Sequence, residues 1–369
     1  MNIPFVDLKS QYLSIKQEID DAIFKVLNDT NFIGGQQIRD FESKFASLYG
    51  VKHVVGVANG TDAIYIALKM LGIGVGDEVI TTASSWISTS ETITQAGAKP
   101  VFVDIDPDTY TINPKLIEEK ITKKTKAIIP VHLYGQMADI LAIKNICDKY
   151  KLYLIEDCAQ SHFSEENGTL AGRHGVVGTF SFYPGKNLGA YGDAGCIITD
   201  DELLAEKCRM FANHGALKKH AHKIEGINSR LDTIQAAILN VKANYIINWT
   251  ESRISNAAFY NATLKEVEEL TLPKVRNNTK HTFHLYVIRT KERDALKEHL
   301  GVMGIQTAVH YPLALPNLEA YNYLGYAKSD FPIASKYQNE ILSIPMYPEI
   351  SKDQMEYVCN GIKSFFKKK

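Results

Sequence analysis

Two kinds of hydrophobic pattern alternate along the first 155 residues of the chain. Short apolar runs, which are typical of buried strands, are separated by stretches whose apolar residues recur at helical spacing. The runs cover residues 53–57, 78–81, 100–103, 127–131 and 152–155. The helical stretches cover residues 62–71, 85–95, 114–121 and 140–150. This alternation predicts an α/β fold with a mostly parallel sheet that is covered by helices on both faces.

Residues on either side of this region extend the pattern. The first 50 residues have helical spacing and predict two helices. Residues 178–182 and 195–199 predict two more strands, and residues 201–212 and 231–264 predict long helical regions. A chain of 369 residues is too long for one ordinary core, so a second domain is expected.

The last hundred residues predict a small α+β unit. Its predicted elements are strands at 284–289 and 306–310 and helices at 292–300 and 352–366. We therefore predict a large domain over residues 1–250 and a small C-terminal domain over residues 251–369.

The charge and composition of the chain exclude several classes of binding partner from the expectation. Lys and Arg (41 residues) balance Asp and Glu (42 residues), so neither nucleic acid nor an anionic membrane is an expected partner. The sequence has no run of about 18 apolar residues, so a membrane span is not expected. The three lysines that close the chain, Lys367 to Lys369, are expected to form a solvated tail.

The positions of the cysteines and histidines indicate the cellular compartment and whether a metal site is expected. The five cysteines are odd in number and include no CxxC pair, which indicates reduced thiols and a cytoplasmic protein. His220 with His222, and His281 with His284, have no cysteine or carboxylate at ligand spacing. No metal is therefore expected.

A lysine follows the predicted strand at residues 178–182. The turn Pro184-Gly185 ends this strand and presents Lys186, which on the local pattern alone is either a solvated or a functional side chain. Asp157 follows the strand at residues 152–155, and open α/β sheets bind ligands at the carboxyl ends of their strands. An acid and a lysine at one edge predict either an ion pair or two groups that flank a cofactor.

Two further features lie at the same predicted edge. Gly60, Thr61 and Asp62 begin a helix after the first strand, where free backbone N–H groups form either a phosphate site or an ordinary helix cap. Trp86 follows the second strand and is either a core residue or a flat ring that stacks on a cofactor.

Taken together, these motifs resemble the DegT/StrS family of nucleotide-sugar aminotransferases. The matching segments are residues 101–106, 130–136, 155–160, 181–186, 226–230 and 309–312. The resemblance implies the aspartate aminotransferase-like (fold type I) architecture, with a mostly parallel seven-stranded sheet in the large domain and a small C-terminal α+β domain. It also implies pyridoxal 5'-phosphate as the cofactor, with pyridoxamine phosphate as its intermediate form.

The resemblance assigns a role to each candidate residue. Lys186 corresponds to the imine-forming lysine and proton shuttle, Asp157 to the partner of the pyridine nitrogen, and Gln160 to the partner of the phenolic oxygen. Trp86 occupies the position of the stacking aromatic ring. The phosphate ligands would be Gly60, Thr61, Asp62, Ser181 and, from the neighbouring subunit, Asn228. The residues on the sugar side would be Tyr183, His310 and Tyr311.

The lysine motif also implies which carbon is aminated. Residues 183–190 and 228–232 resemble the branch that aminates C3 rather than C4 of the sugar, and Lys186 argues against the dehydratase branch, which has histidine there. The implied reaction moves an amino group from glutamate, released as 2-oxoglutarate, to a dTDP-3-keto-6-deoxyhexose. The product, a dTDP-3-amino-3,6-dideoxyhexose, would serve O-antigen, S-layer or other glycan biosynthesis.

Several alternatives remain open at this point. Within the family they are a C4 aminotransferase and a UDP-3-keto-sugar aminotransferase, and in a different class a non-catalytic regulator that binds cofactor or sugar. The match at Asn228 implies a homodimer with shared active sites. One segment departs from the family, because residues 163–166 replace a Gly-Ala pair that relatives usually have. We expect this segment to adjoin the site and to alter sugar specificity.

Overall fold

The computed structural model describes residues 1–367, and its central feature is a seven-stranded sheet. The strand order is His53–Val57, Gly195–Thr199, Val177–Ser181, Tyr153–Asp157, Thr125–Ile129, Glu78–Thr82 and Lys99–Val103. Gly195–Thr199 runs antiparallel to both of its neighbours, and the other adjacent pairs are parallel. The predicted mostly parallel sheet of an α/β fold is therefore confirmed. Lys368 and Lys369 of the predicted solvated tail lie outside the described residues.

Helices cover both faces of this sheet, since successive strand residues point to opposite sides. Val54 packs in the core beneath helix Gln36–Tyr49, whereas Val55 packs in a separate core beneath helix Gly60–Met70. The remaining helices of this part are Leu8–Ser14, Lys16–Asp29, Ser88–Gln95, Ile140–Tyr150, Glu202–Ala212, Thr233–Lys242 and Ile246–Leu264. Strands buried on both faces explain why their sequences read as continuous apolar runs rather than as alternating ones.

A smaller unit follows in the C-terminal part. Its strands Tyr286–Arg289 and Ile341–Ile344 pair antiparallel, and its helices are Arg293–Val302, Pro332–Tyr337 and Lys352–Lys367. Ile3, from the other end of the chain, is fully buried in the core of this unit and bridges to Ile305. The N-terminal segment therefore packs on the C-terminal unit, which the sequence pattern did not indicate.

The proposed domain boundary at residue 250 falls inside one helix. Ile246–Leu264 begins with Ile246 in a core beneath the large sheet and ends with Tyr260 and Leu264 in the core of the C-terminal unit. The division at residue 250 stays a prediction, and the helix runs through it without interruption.

Two predicted elements are wrong. Residues 306–310 do not form a strand: Ala308 makes a single bridge to Ser343, while Ile305 bridges to Ile3, so two different neighbours are contacted and no ladder develops. Residues 114–121 form two short 3₁₀ helices, Pro114–Leu116 and Glu118–Lys120, instead of an α-helix.

Other differences concern where elements begin and end. The first 50 residues form three helices, because Asp7 caps an additional helix, Leu8–Ser14, through a bond from the N–H of Ser10 (2.9 Å). The helical region at 231–264 is divided by a turn at residues 243–245. None of the helices within residues 1–367 is long and apolar enough to cross a membrane.

The end of the departing segment 163–166 contacts the C-terminal unit. Glu165–Glu166 pairs with Thr169–Leu170 and with Thr279–Lys280 to form a small three-stranded sheet. Arg276 reinforces this contact through an ion pair with Glu166 (2.9 Å).

Candidate active site

A cavity opens at the edge where the parallel strands end. It has a volume of about 560 Å³ and is lined by residues at or just after the ends of five different strands. These residues include Asn59, Trp86, Val131, Asp157 and Lys186. The topology of the sheet therefore gathers polar groups that lie far apart in the sequence, as expected for an open α/β sheet.

Lys186 lies on a tight turn after strand Val177–Ser181. The backbone N–H of Lys186 donates to the carbonyl oxygen of Tyr183 (2.8 Å). A Cβ at Gly189 would lie 2.3 Å from the carbonyl oxygen of Pro184, so only glycine fits where the chain passes back over the start of this turn. The turn therefore fixes the backbone from which the lysine enters the cavity.

The ammonium group of Lys186 has a lower pKa than that of an ordinary lysine. Burial lowers the pKa of Lys186 to about 8, and the negative charge of Asp157 opposes this shift. The side chain nevertheless keeps some surface open to the cavity. An amine with this pKa has a substantial neutral fraction near pH 8, which it needs in order to react or to accept a proton.

Asp157 ends strand Tyr153–Asp157 and is almost fully buried. Its carboxylate accepts hydrogen bonds from Oγ1 of Thr89 (2.8 Å) and from the backbone N–H of Ala159 (3.1 Å). Burial raises the pKa of Asp157, whereas these two bonds and the charge of Lys186 counteract the rise. Asp157 therefore offers a fixed carboxylate to a positively charged group in the cavity.

Helix Gly60–Met70 begins at the rim of the cavity. Asn59 caps it by accepting a hydrogen bond from the N–H of Asp62 (2.8 Å). A Cβ on Gly60 would lie 2.6 Å from Cβ of Ser181, so glycine lets the helix start pack directly against the end of a strand. The first N–H groups of a helix lack partners within it, and they favour an anion such as phosphate.

The C-terminal unit supplies another wall of the cavity, with His310 and Tyr311. Nε2 of Gln160 donates to the hydroxyl of Tyr311 (2.9 Å), and the Tyr311 ring lies 5.6 Å from that of Trp86. Burial raises the pKa of Tyr311 and lowers the pKa of His310 to about 4. Both groups are therefore neutral at physiological pH.

Comparison with known proteins decides the family. Residues 13–363 match the sequence model of the DegT/DnrJ/EryC1/StrS aminotransferase family. The chain belongs to this family. The aminotransferase fold and the resemblance inferred from the motifs are thereby confirmed.

Three curated relatives span nearly the whole aminotransferase. The "Pleiotropic regulatory protein" of Geobacillus stearothermophilus is 47% identical and the match covers 100% of this chain and 99% of the relative. The dTDP-3-amino-3,6-dideoxy-alpha-D-galactopyranose transaminase of Aneurinibacillus thermoaerophilus is 42% identical, and the match covers 98% of this chain and 99% of the relative. The UDP-2-acetamido-2-deoxy-3-oxo-D-glucuronate aminotransferase of Pseudomonas aeruginosa is 40% identical, with 98% and 99% covered.

Solved structures agree with this relationship. DesV of S. venezuelae, determined in complex with a ketimine intermediate, superposes with a TM-score of 0.97 at 38% identity and covers 99% of this chain and 98% of its own. NtdA of Bacillus subtilis, determined with bound cofactor PMP, has a TM-score of 0.88 at 32% identity, with 96% and 82% covered.

Most of the residues predicted for the site meet in the cavity of this aminotransferase. They are Gly60, Thr61, Trp86, Asp157, Gln160, Ser181, Tyr183, Lys186, His310 and Tyr311. Asp62 lies outside the lining, and its N–H is already bonded to Asn59. Asn228 also lies outside the cavity of its own chain and bridges to Asn213. The roles assigned to these residues stay predictions.

The expectation that residues 163–166 adjoin the cavity is wrong. None of these four residues lines it. Phe163 is turned into the core, where its ring lies 4.9 Å from that of Tyr49, and its backbone N–H donates to the Tyr49 hydroxyl (2.9 Å). The segment therefore affects packing rather than contact with a ligand in this cavity.

Several cavity residues were not predicted from the sequence. Phe5 and Val6 come from the N-terminal segment, Asp193 from a glycine-rich loop, and His284 and Leu285 from the C-terminal unit. Local pattern gives no signal for them, because they reach the cavity only through long-range packing. The sequence pattern raises His284 only as a possible metal ligand.

The described residues also contain one cluster with metal-ligand chemistry, formed by His132, Glu156 and Cys158. Nδ1 of His132 accepts a hydrogen bond from Ala138 (3.0 Å), so its Nε2 carries the proton and donates to Glu156 (2.9 Å). Glu156 also accepts backbone hydrogen bonds from Gly172, His174 and Gly175 (2.7–2.8 Å). The ligand atoms of His132 and Glu156 are thus already used in hydrogen bonds within the protein.

Proposed function

We propose that this aminotransferase moves an amino group from glutamate to the C3 keto group of a nucleotide-linked sugar, with dTDP-3-keto-6-deoxyhexose as the favoured substrate. The observation that carries the proposal is the meeting of Lys186 and Asp157 in one cavity at the carboxyl edge of the sheet. Relatives named for dTDP-linked and for UDP-linked 3-amino or 3-oxo sugars, at 42% and 40% identity, support the class of substrate.

The residues of the cavity fit pyridoxal 5'-phosphate. Lys186 would bind its aldehyde carbon, Asp157 would pair with its ring nitrogen, and Gly60, Thr61 and Ser181 would hold its phosphate. A Cβ would overlap neighbouring atoms at Gly60 and also at Gly195, where it would lie 2.4 Å from the carbonyl carbon of Asn59. When bound, this cofactor supplies an electron sink that lets a bond to the amino-bearing carbon break.

The chain's own groups then have separate tasks. The Lys186 amine, with a pKa of about 8, would accept a proton from the amino-bearing carbon of the donor in the first half of the reaction and deliver one to C3 of the sugar in the second half. The Asp157 carboxylate, held by Thr89 and Ala159, would keep the ring nitrogen of the cofactor protonated. Because one site serves both substrates in turn, ping-pong kinetics are expected.

A regulatory role is the second candidate, and a specific observation favours it. The relative at 47% identity is named a pleiotropic regulatory protein. The intact pair of Lys186 and Asp157 favours catalysis, because binding alone needs neither a lysine of low pKa nor a buried carboxylate. If glutamate and other amino donors all leave the absorbance of the cofactor-loaded protein unchanged, the regulatory role gains support.

The direct test of the proposed function is turnover with glutamate and a panel of dTDP- and UDP-linked keto sugars. NMR of the product identifies the aminated carbon and separates C3 from C4 transfer. We expect Lys186→Ala to reduce turnover below detection, whereas wild-type turnover in that variant would contradict the assignment.

We further propose a homodimer with shared active sites and a cytoplasmic location. Asn228 lies outside the cavity of its own chain, which is consistent with a role in the partner's site. Exposed apolar side chains such as Phe32 and Ile33 give a second copy a surface to cover. All five cysteines are unpaired and buried, which supports a reducing compartment.

A further inference from the structure

His284 lines the same cavity as Lys186, yet the chemistry described above gives it no task. It precedes strand Tyr286–Arg289 and is partly exposed, whereas His281, three residues earlier, is buried outside this cavity. A histidine in such a place can act as a base, a hydrogen-bond donor or an acceptor. Its protonation and its tautomer decide among these roles.

The hydrogen bonds of Asn187 fix the tautomer of His284. Nδ2 of Asn187 donates to the carbonyl oxygen of Thr282 (3.2 Å), because a carbonyl oxygen only accepts. The amide oxygen of Asn187 therefore faces Nδ1 of His284 at 3.2 Å and accepts from it. With the proton on Nδ1, the other nitrogen, Nε2, keeps a free lone pair.

The imidazole of His284 is also neutral at physiological pH. Burial lowers the pKa of His284 well below its ordinary value, and the positive charges of Lys186 and Arg253 lower it further. Within residues 1–367, no side chain or backbone group donates a hydrogen bond to Nε2. His284 therefore presents one vacant acceptor on the wall of the cavity.

From this geometry we infer that Nε2 of His284 accepts a hydrogen bond from a hydroxyl of the hexose and so helps to select the sugar substrate. The inference rests on the proposed function, because it names a contact to that function's substrate. A sugar hydroxyl is neutral and carries a proton to donate. The amino group of glutamate is the group that is transferred, and its carboxylates have no such proton and would face the lone pair unfavourably. The contact therefore belongs to the sugar half of the reaction.

The experiment separates the two halves of the reaction by single-turnover absorbance. Glutamate drives the first half, and dTDP-3-keto-6-deoxyglucose drives the second. We expect His284→Leu to reduce the apparent second-order rate constant of the sugar half at least about tenfold more than that of the glutamate half, since a hydroxyl loses its acceptor. His284→Gln, which restores an acceptor oxygen, should recover most of this loss.

His281→Leu is the matched control, because it also removes a neutral imidazole from the same segment but lies outside the cavity. Equal losses in both halves with His284→Leu, or an equally selective loss with His281→Leu, would overturn the inference. If His284→Leu does not fold, Asn187→Leu serves instead. That change releases Nδ1, so a loss confined to the sugar half supports the inference and any other pattern overturns it.

Failure of the proposed function is recognised separately. A wild-type protein that takes the amino group from glutamate but passes it to no keto nucleotide sugar would refute the proposed substrate and, with it, the contact. A wild type that is active on the sugar, combined with no selective loss in His284→Leu, would refute only the contact.

Discussion

Lys186 and Lys242 both have a pKa that burial lowers to about 8, but their surroundings differ. Nζ of Lys242 donates to the carbonyl oxygen of Gly189 (2.7 Å) and lies 4.3 Å from the ring centre of Tyr191. Lys186 instead faces the cavity. A low pKa therefore marks both residues, and only access to a ligand distinguishes the amine that we propose to react from the one that supports the turn.

The pKa of Lys186 predicts the pH dependence of its reaction with an aldehyde. At pH 7 a pKa of about 8 gives about 300 times more neutral amine than the ordinary value of 10.5. We expect the rate at which cofactor-free protein takes up pyridoxal phosphate to rise with pH and to level off above about pH 8. Nα-acetyl-lysine, whose amine is not perturbed, controls for titration of the reagent. A midpoint near 10.5 in the protein would contradict the expectation.

At the scale of elements, Phe163 has a strained backbone conformation and a side chain that packs in the core. Phe163 has a φ of 60°, in the left-handed region that favours glycine, yet its side chain is 4% exposed and packs in the core against Tyr49. The left-handed conformation destabilises a residue with a Cβ by about 1–2 kcal/mol, whereas removal of a buried phenylalanine ring destabilises by about 3–5 kcal/mol. Packing therefore outweighs the strain.

This balance predicts an unusual order of stability. Phe163→Gly loses the ring but relieves the backbone, whereas Phe163→Ala loses the ring and keeps the strain. We expect both variants to be less stable than the wild type, with Phe163→Ala the less stable of the two by about 1 kcal/mol. Urea denaturation measures the difference. Because the segment lies outside the cavity, the ratio of rates for different keto sugars should stay unchanged in both variants. An altered ratio, or the reverse order of stability, would contradict this account.

The elements that could be predicted from the sequence are those with a strong local pattern. Strands His53–Val57 and Gly195–Thr199 and helix Ile140–Tyr150 coincide with the predicted ranges, because they are buried runs bounded by turns. Residues 306–310 also predict a strand, but their backbone contacts two different neighbours and makes no ladder. Tertiary context decides such segments, and a local pattern does not contain it.

At the scale of the whole molecule, the site also combines residues that a local pattern reveals with residues that only tertiary contacts bring there. Lys186 and Asp157 could be recognised because each follows a strand, and the order of a parallel sheet brings strand ends together. Phe5 and His284 reach the cavity from opposite ends of the chain. Their place depends on how Ile3 is held in the C-terminal core and how Asn187 orients the imidazole, and neither contact has a signature in the local sequence.

The proposed sharing of sites between two subunits predicts complementation. Lys186→Ala and Asn228→Ala should each be inactive or weak alone. Unfolding a 1:1 mixture and refolding it should restore about a quarter of the wild-type activity, because half of the dimers are mixed and each mixed dimer has one intact site. A mixture no more active than its separate components would show that Asn228 serves its own chain. Light scattering of each sample establishes that dimers have formed.

The helix that crosses the proposed domain boundary has a consequence for how the chain unfolds. Ile246–Leu264 contributes side chains to both cores, and in its middle Arg253 donates to the carbonyl oxygens of Phe283 (3.2 Å) and Met346 (2.9 Å) in the C-terminal unit. Because helical turns support one another along the chain, loss of either core frees residues on which the other depends. We therefore expect the two cores to unfold in one step, so that the walls of the cavity are lost or regained together.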